Sequence, residues 1–133
     1  MDFSNYKFRC SSLGKIVSKS GNLTQTTKTF LLELWIKEKF CIEKDINSKY
    51  LEKGISCESD GRSILQKVFY RDEFVSKNKI RLENDFLSGE YDYFSNTDNT
   101  VTDIKNAWDL FSFHKAELTH DYKWQLKGYA MLL

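Results

Sequence analysis

The change of texture at Phe74 constrains this chain more than any other feature. Before it, apolar residues recur at helical spacing; after it, they gather in short strand-like runs. Ser11 or Ser12 is placed to cap a short helix through about Ser18, with Leu13, Ile16 and Val17 on one face, and Gly21-Asn22 breaks it. Residues 23–40 form a better helix, with Thr24 at its N-cap and Phe30, Leu31, Leu34, Trp35 and Glu38 in an amphipathic pattern. Asn47 or Ser48 opens a third helix that runs to about Phe69. Gly54 and Gly61 lie inside it, each costing about 1 kcal/mol against alanine, so either a close approach or a late helix start is expected there. Strand candidates follow at 74–75, 79–82, 85–94 and 100–105. Residues 107–114 then read as a helical turn, and a last helix starts after His120 or Asp121. Helices, a strand cluster and helices again predict an α/β or α+β fold, a small central mixed sheet flanked by helices.

At 133 residues the chain is expected to form one domain, 1–133. It has no proline and few glycines, which excludes collagen-like and linker-rich architecture. Its net charge of +1 argues neither for nor against nucleic acid, so any DNA contact needs a local basic patch. Residues 1–9 do not resemble a signal peptide, and no apolar run approaches the roughly 20 residues of a membrane helix. Cys10, Cys41 and Cys57 are odd in number without C-x-x-C spacing, the pattern of free thiols in a reducing cytosol. The chain stops in the apolar run 129–133, so either that segment docks or a covering element has been cut away.

The chemistry-bearing residues gather late: Glu90-Tyr91-Asp92, a polar turn, then Asp103-Ile104-Lys105. Side chains two apart on a strand share a face. A hairpin turning through 95–99 would bring Asp92 to Asp103, with Lys105 one step on. Converging carboxylates call for a cation, and oxygen-only ligation suits Mg²⁺ or Mn²⁺. A lysine beside them can orient a water, which completes the parts of metal-assisted phosphodiester hydrolysis. The same spacing also fits charges on the solvent face of an edge strand.

Four segments then resemble a known family in order. Lys53-Gly54-Ile55-Ser56-Cys57-Glu58-Ser59-Asp60 resembles the (K/R)-G-x-x-x-E helix motif of phage recombination exonucleases, the YqaJ and lambda-exonuclease group of the PD-(D/E)XK nuclease superfamily. Gly89-Glu90-Tyr91-Asp92 resembles its G-x-P-D element and Asp103-Ile104-Lys105 its (D/E)-x-K. The stretch from Tyr122 through Gln125 to Tyr129 looks like its Y-x-x-Q-x-x-x-Y helix, and Arg9-Cys10-Ser11-Ser12 like its serine-bearing helix start. The resemblance implies a restriction-endonuclease-like core. It makes Glu58, Asp92 and Asp103 the metal carboxylates, the Ile104 carbonyl a further ligand, and Lys105 the residue that positions water. Gln125 would hold Lys105 or a phosphate, and Ser11 with Arg9 a terminal phosphate. Tyr91 stands where the motif has proline, and Asp103 where glutamate is commoner. A further acid before the G-x-P-D element has only Glu83 and Asp85 as candidates, and the family fold usually continues beyond the glutamine helix.

The expected activity is therefore that of a Mg²⁺- or Mn²⁺-dependent DNA nuclease, an exonuclease acting on duplex ends in recombination or repair. The alternative is a catalytically silent nuclease fold that binds DNA or a partner; a third reading is a plain interaction domain. The resemblance also implies a single-strand annealing protein and further copies of the chain as partners, in the host cytoplasm if phage-encoded. His114 and His120 read as solvated or capping residues ahead of metal ligands, and Trp108, Phe111 and Phe113 as core ahead of base-stacking residues. Lys15, Lys19, Lys37, Lys39 and Lys44 read as solvated faces or phosphate contacts.

Overall fold

The computed structural model describes residues 3–18, 22–42 and 48–133; Lys19, Lys44 and the expected helix start at Asn47 lie outside them. The fold is mixed α/β, and the chain divides into two compact units. The first comprises 1–46, 81–89 and 118–133; the second comprises 47–80 and 90–117.

In the first unit, β1 (Phe8–Arg9) pairs parallel with β3 (Leu87–Gly89), which pairs antiparallel with β2 (Leu82–Glu83). The Asn84 side chain shapes the β2–β3 turn, accepting from the N–H groups of Phe86 at 3.0 Å and Leu87 at 2.8 Å. All three residues of the central strand β3 are buried. Helix α6 (His120–Leu132) packs against a 3₁₀ turn (Cys10–Ser12), the short α1 (Leu13–Ile16) and β3. Glycine makes that approach possible. A Cβ at Gly89 would lie 2.7 Å from Cys10 Sγ and 2.8 Å from Tyr129 Cε1; one at Gly128 would lie 2.6 Å from Leu13 Cδ1.

Thr24 caps α2 (Gln25–Phe40) as expected, its hydroxyl accepting from Thr27 N at 3.2 Å. The serine caps differ from expectation. Ser12 stands at the N-cap of α1 with φ −101° and ψ −8° and makes no side-chain cap. A capping side chain normally needs extended backbone at that residue, and the preceding 3₁₀ turn removes it. His120 Nε2 lies 2.7 Å from the Val17 carbonyl, a structural role.

In the second unit the long third helix proves to be two, α3 (Ser48–Ser56) and α4 (Glu58–Val68), joined at Cys57. The close approach expected of its glycines holds at one of them. A Cβ at Gly61 would meet Ile104 Cγ2 at 2.7 Å, whereas nothing lies within 4 Å of one at Gly54. Strands β4 (Tyr93–Ser95) and β5 (Thr100–Thr102) form the expected hairpin, registered Tyr93↔Thr102. Asn99 closes it with φ 52°, a conformation asparagine tolerates.

Phe74 and Val75 form no strand. Gln66 on α4 instead holds this segment through its backbone, accepting from Val75 N at 2.7 Å and donating to Tyr70 O at 2.8 Å and to Glu73 O. Val75 thereby reaches a core with Leu65 and Tyr93, flanked by Tyr70 and Ile104. The run 85–94 also splits, because 90–92 leave the ladder between β3 and β4. Two small sheets result among the described residues, where one central sheet was expected. No helix among them is long and apolar enough to cross a membrane.

A polar cluster ties the hairpin to the 70–75 segment. Glu73 accepts from the Tyr93 hydroxyl and from Ser95 Oγ at 2.8 Å. These hydrogen bonds, that of Tyr93 foremost, hold the Glu73 carboxyl below its usual range. Burial, with Glu73 beside it, pushes the Tyr93 phenol up to about 12. A carboxyl depressed in the folded state adds stability above its unfolded pKa and loses it as pH falls through the folded value. Glu73→Gln should therefore lower the thermal midpoint at neutral pH, and the gap to the parent should close on acidification. Melting curves at several pH values test this; a gap that persists in acid would mean packing, not charge, is involved.

Candidate active site

The hairpin register sets the site. Beyond the pair Tyr93↔Thr102 the ladder stops, and the Asp92 side chain takes over: its Oδ2 accepts from Ile104 N at 2.6 Å. Asn78 secures the segment before it, donating from Nδ2 to Tyr91 O at 2.9 Å and from its backbone N to Asp92 O at 3.4 Å. Asp103 and Lys105 lie past the end of β5, so the expected strand-face alternation is not what joins them. They meet directly, Lys105 Nζ 2.6 Å from Asp103 Oδ2.

Glu58 is the first residue of α4. Its carboxylate takes Arg62 Nη1 at 2.8 Å, one helical turn on, and Lys77 Nζ at 2.8 Å. The Lys77 hydrogen bond is the chief reason its pKa is lowered. Glu58, Asp92, Ile104 and Lys105 line one cleft of about 350 Å³, together with Gly54, Ile55 and Asn106.

Asp92 behaves differently from Glu58. Burial raises its pKa first of all; the Ile104 N–H opposes this, the charges of Asp103 and Glu58 add to it, and Lys105 opposes it. A half-buried acid among other acids is a place where a cation lowers the energy. Asp92 lines this cleft, Asp103 lines the larger cavity beside it and Ile104 and Lys105 line both; Glu58 is engaged by Arg62 and Lys77. Among the described residues no group of three or more His, Cys, Asp or Glu side chains is arranged to hold a metal. A hard cation that keeps much of its water shell fits two carboxylates and a carbonyl.

The remaining expected residues belong to the first unit. Gln125 is buried on α6 and donates from Nε2 to the Tyr129 hydroxyl at 2.8 Å, so the two motif residues form an i, i+4 pair. Ser11 sits inside the 3₁₀ turn and is exposed. Arg9, on β1, lines a cavity of about 440 Å³ with Tyr6, Ser12, Lys15 and Lys37. Glu83 pairs with Lys7 at 2.7 Å, and Asp85 is exposed.

Sequence reasoning missed Arg62, Lys77 and Asn78. Arg62 was findable from its i, i+4 spacing to Glu58; Lys77 and Asn78 come from irregular chain and carry no local signal.

No protein-family model and no curated protein matches the chain. Among solved structures it is similar to a phage-related exonuclease from Haemophilus somnus 129PT, with 29% identity and a TM-score of 0.81. The match covers 96% of this chain and 63% of that one, so the chain spans less than two thirds of that protein's length. Over nearly its whole length, the chain shares the fold of a phage-related exonuclease.

Proposed function

We propose that the chain is a DNA nuclease dependent on Mg²⁺ or Mn²⁺, an exonuclease of the phage recombination type working from duplex ends, with 1–133 as one PD-(D/E)XK-like domain. The likeness to a phage-related exonuclease supports the nuclease class. The observation that carries the reading is Asp92, a half-buried acid locked onto Ile104 N at 2.6 Å in a cleft shared with Glu58 and Lys105.

Asp92, Asp103 and the Ile104 carbonyl would hold the cation, which supplies charge neutralisation at phosphorus and activation of a water when bound. The chain's own groups do the rest. Asp92 and Asp103 supply the negative charge that draws the cation. Lys105, anchored on Asp103, orients the attacking water and stabilises the charge that develops on the phosphate oxygens. Glu58, held by Arg62 and Lys77, lines the same cleft as Asp92 and adds its charge there. Water adds at phosphorus, the P–O bond to the leaving nucleotide breaks, and a proton passes to that oxygen. Ser11 and Arg9 are the candidates for phosphate contacts, whereas Gln125, buried with its amide on the Tyr129 hydroxyl, braces α6. DNA is the partner of this reading, with a single-strand annealing protein and further copies of the chain as additional partners, in the cytoplasm, that of the host if the chain is phage-encoded.

One observation favours a second reading, a catalytically silent nuclease fold that binds DNA or a partner: Glu58, a metal carboxylate by the resemblance, is occupied by Arg62 and Lys77. Cleavage of end-labelled linear duplex DNA separates the two. Digestion should require Mg²⁺, stop with EDTA and fall by about 10²-fold or more in Asp103→Asn. DNA binding without digestion under any divalent ion would leave the silent reading standing.

A further inference from the structure

Glu58 meets more positive charge than neutralises it. Its Oε1 lies 2.8 Å from Arg62 Nη1, and Lys77 Nζ lies 2.8 Å from that oxygen and 2.9 Å from Oε2. Arg62, one helical turn along α4, balances the carboxylate alone. The other cations nearby are committed elsewhere. Lys105 is on Asp103 at 2.6 Å, and Lys53 donates to the Trp108 carbonyl, just before α5 (Leu110–His114). Lys77 is therefore the surplus charge. It comes from irregular chain, and its side chain is 48% exposed against 23% for Arg62. Its backbone is nevertheless placed. Val75 N donates to Gln66 Oε1 at 2.7 Å, and Asn78 Nδ2 donates to the Ile80 and Tyr91 carbonyls at 3.0 and 2.9 Å. A flexible four-carbon stem on a tethered backbone lets the ammonium swing without a change of fold.

We infer that Lys77 is an exchangeable counter-ion of Glu58: it passes from the carboxylate to a backbone phosphate of bound DNA, and Glu58 is thereby released toward the cation at Asp92. The inference rests on the proposed nuclease reading. A half-exposed lysine pair is weak, because water screens it and the stem loses freedom in holding it. A phosphate arriving at the cleft therefore competes well for the ammonium. Arg62 keeps Glu58 at the start of α4, while Oε2, hydrogen-bonded by Lys77 until then, becomes available. Glu58 and Asp92 already line one cleft and already feel each other's charge. Lys77 acts on the cation only through Glu58, which makes it a positioning residue. It also makes DNA and the cation reinforce each other's binding.

Mn²⁺ binding to the full chain, followed by electron paramagnetic resonance of the free ion, tests this without any cleavage. K77M keeps the stem and removes the charge. Without DNA it should bind Mn²⁺ about 10-fold more tightly than the parent, a usual size for coupling between two ligands, and K77R should stay near the parent. Loss of a positive charge anywhere near the site also tightens binding, so the comparison is repeated in E58Q. There the gain from K77M should be lost, because Lys77 works through Glu58. A gain of equal size in both backgrounds overturns the inference. In EDTA, the salt slope of duplex binding should fall by about 1 in K77M, the loss of one phosphate contact; an unchanged slope overturns the exchange and the inference with it. Mn²⁺ bound equally by parent and K77M overturns the inference alone. Mn²⁺ bound by neither, with duplex present or absent, overturns the nuclease reading and the inference together.

Discussion

Asp92→Asn is expected to reduce DNA cleavage by about 10³-fold or more while leaving the protein at least as stable as its parent at neutral pH. Burial raises the Asp92 pKa, and the nearby acids add to it. A carboxyl whose folded pKa is raised favours the folded state below its unfolded pKa and loses that contribution as pH rises through the folded value. At neutral pH the ionised side chain therefore works against folding. Asparagine removes the charge and keeps an oxygen to accept from Ile104 N, now 2.6 Å away. Function and stability pull in opposite directions at this residue, as they often do in active sites. Thermal melts of both chains from pH 7 down to pH 4 check it: the midpoint difference should be largest at neutral pH and shrink on acidification. Added Mg²⁺ should raise the parent's midpoint and not the variant's, because only a ligand that binds the folded site stabilises it. A variant that melts well below its parent at pH 7 would mean that the Asp92 charge is stabilising, and the argument would be lost.

Gly61→Ala is expected to impair both fold and activity, where Gly54→Ala should stabilise. The two glycines lie on consecutive helices, and each substitution gains about 1 kcal/mol of helix propensity. At Gly54 nothing stands within 4 Å of the new methyl group, so the gain is kept. At Gly61 the methyl would meet Ile104 Cγ2 at 2.7 Å, and a branched side chain cannot swing away without moving its own backbone. Overpacking of this kind costs about 1–3 kcal/mol, enough to cancel or exceed the helical gain. The backbone that moves is that of Ile104, whose N–H holds Asp92. Misplacement by about 1 Å can cost about 10²-fold in rate, so activity should fall more steeply than stability. Denaturant midpoints and cleavage rates of both variants test the contrast. Equal behaviour of the two would remove Gly61's assigned role.

The residues themselves show how much was legible in advance. Thr24 specifies a helix start through short-range chemistry, and α2 begins where its cap predicts; the amphipathic face expected behind it is not formed, since Thr27 is its one buried residue and Leu31 and Trp35 are exposed. The polar turn between two apolar runs likewise specified the β4–β5 hairpin, and with it the meeting of Asp92 with the 103–105 segment. These features depend on neighbours a few residues apart. Cys57 carries no break signal, yet α3 and α4 part there, with α4 packed through Gly61 against Ile104. The run 85–94 reads as one strand because its composition is uniform; tertiary pairing divides it, β3 with β1 and β2, β4 with β5. Glu58 announced itself as an acid on a helix, but Lys77, 19 residues on and in irregular chain, decides its charge environment. By itself the sequence determined the Thr24 cap, the hairpin and the acids that it carries. Tertiary structure alone decided which acid is buried and which is paired, because burial and ion pairing depend on groups that only folding brings together.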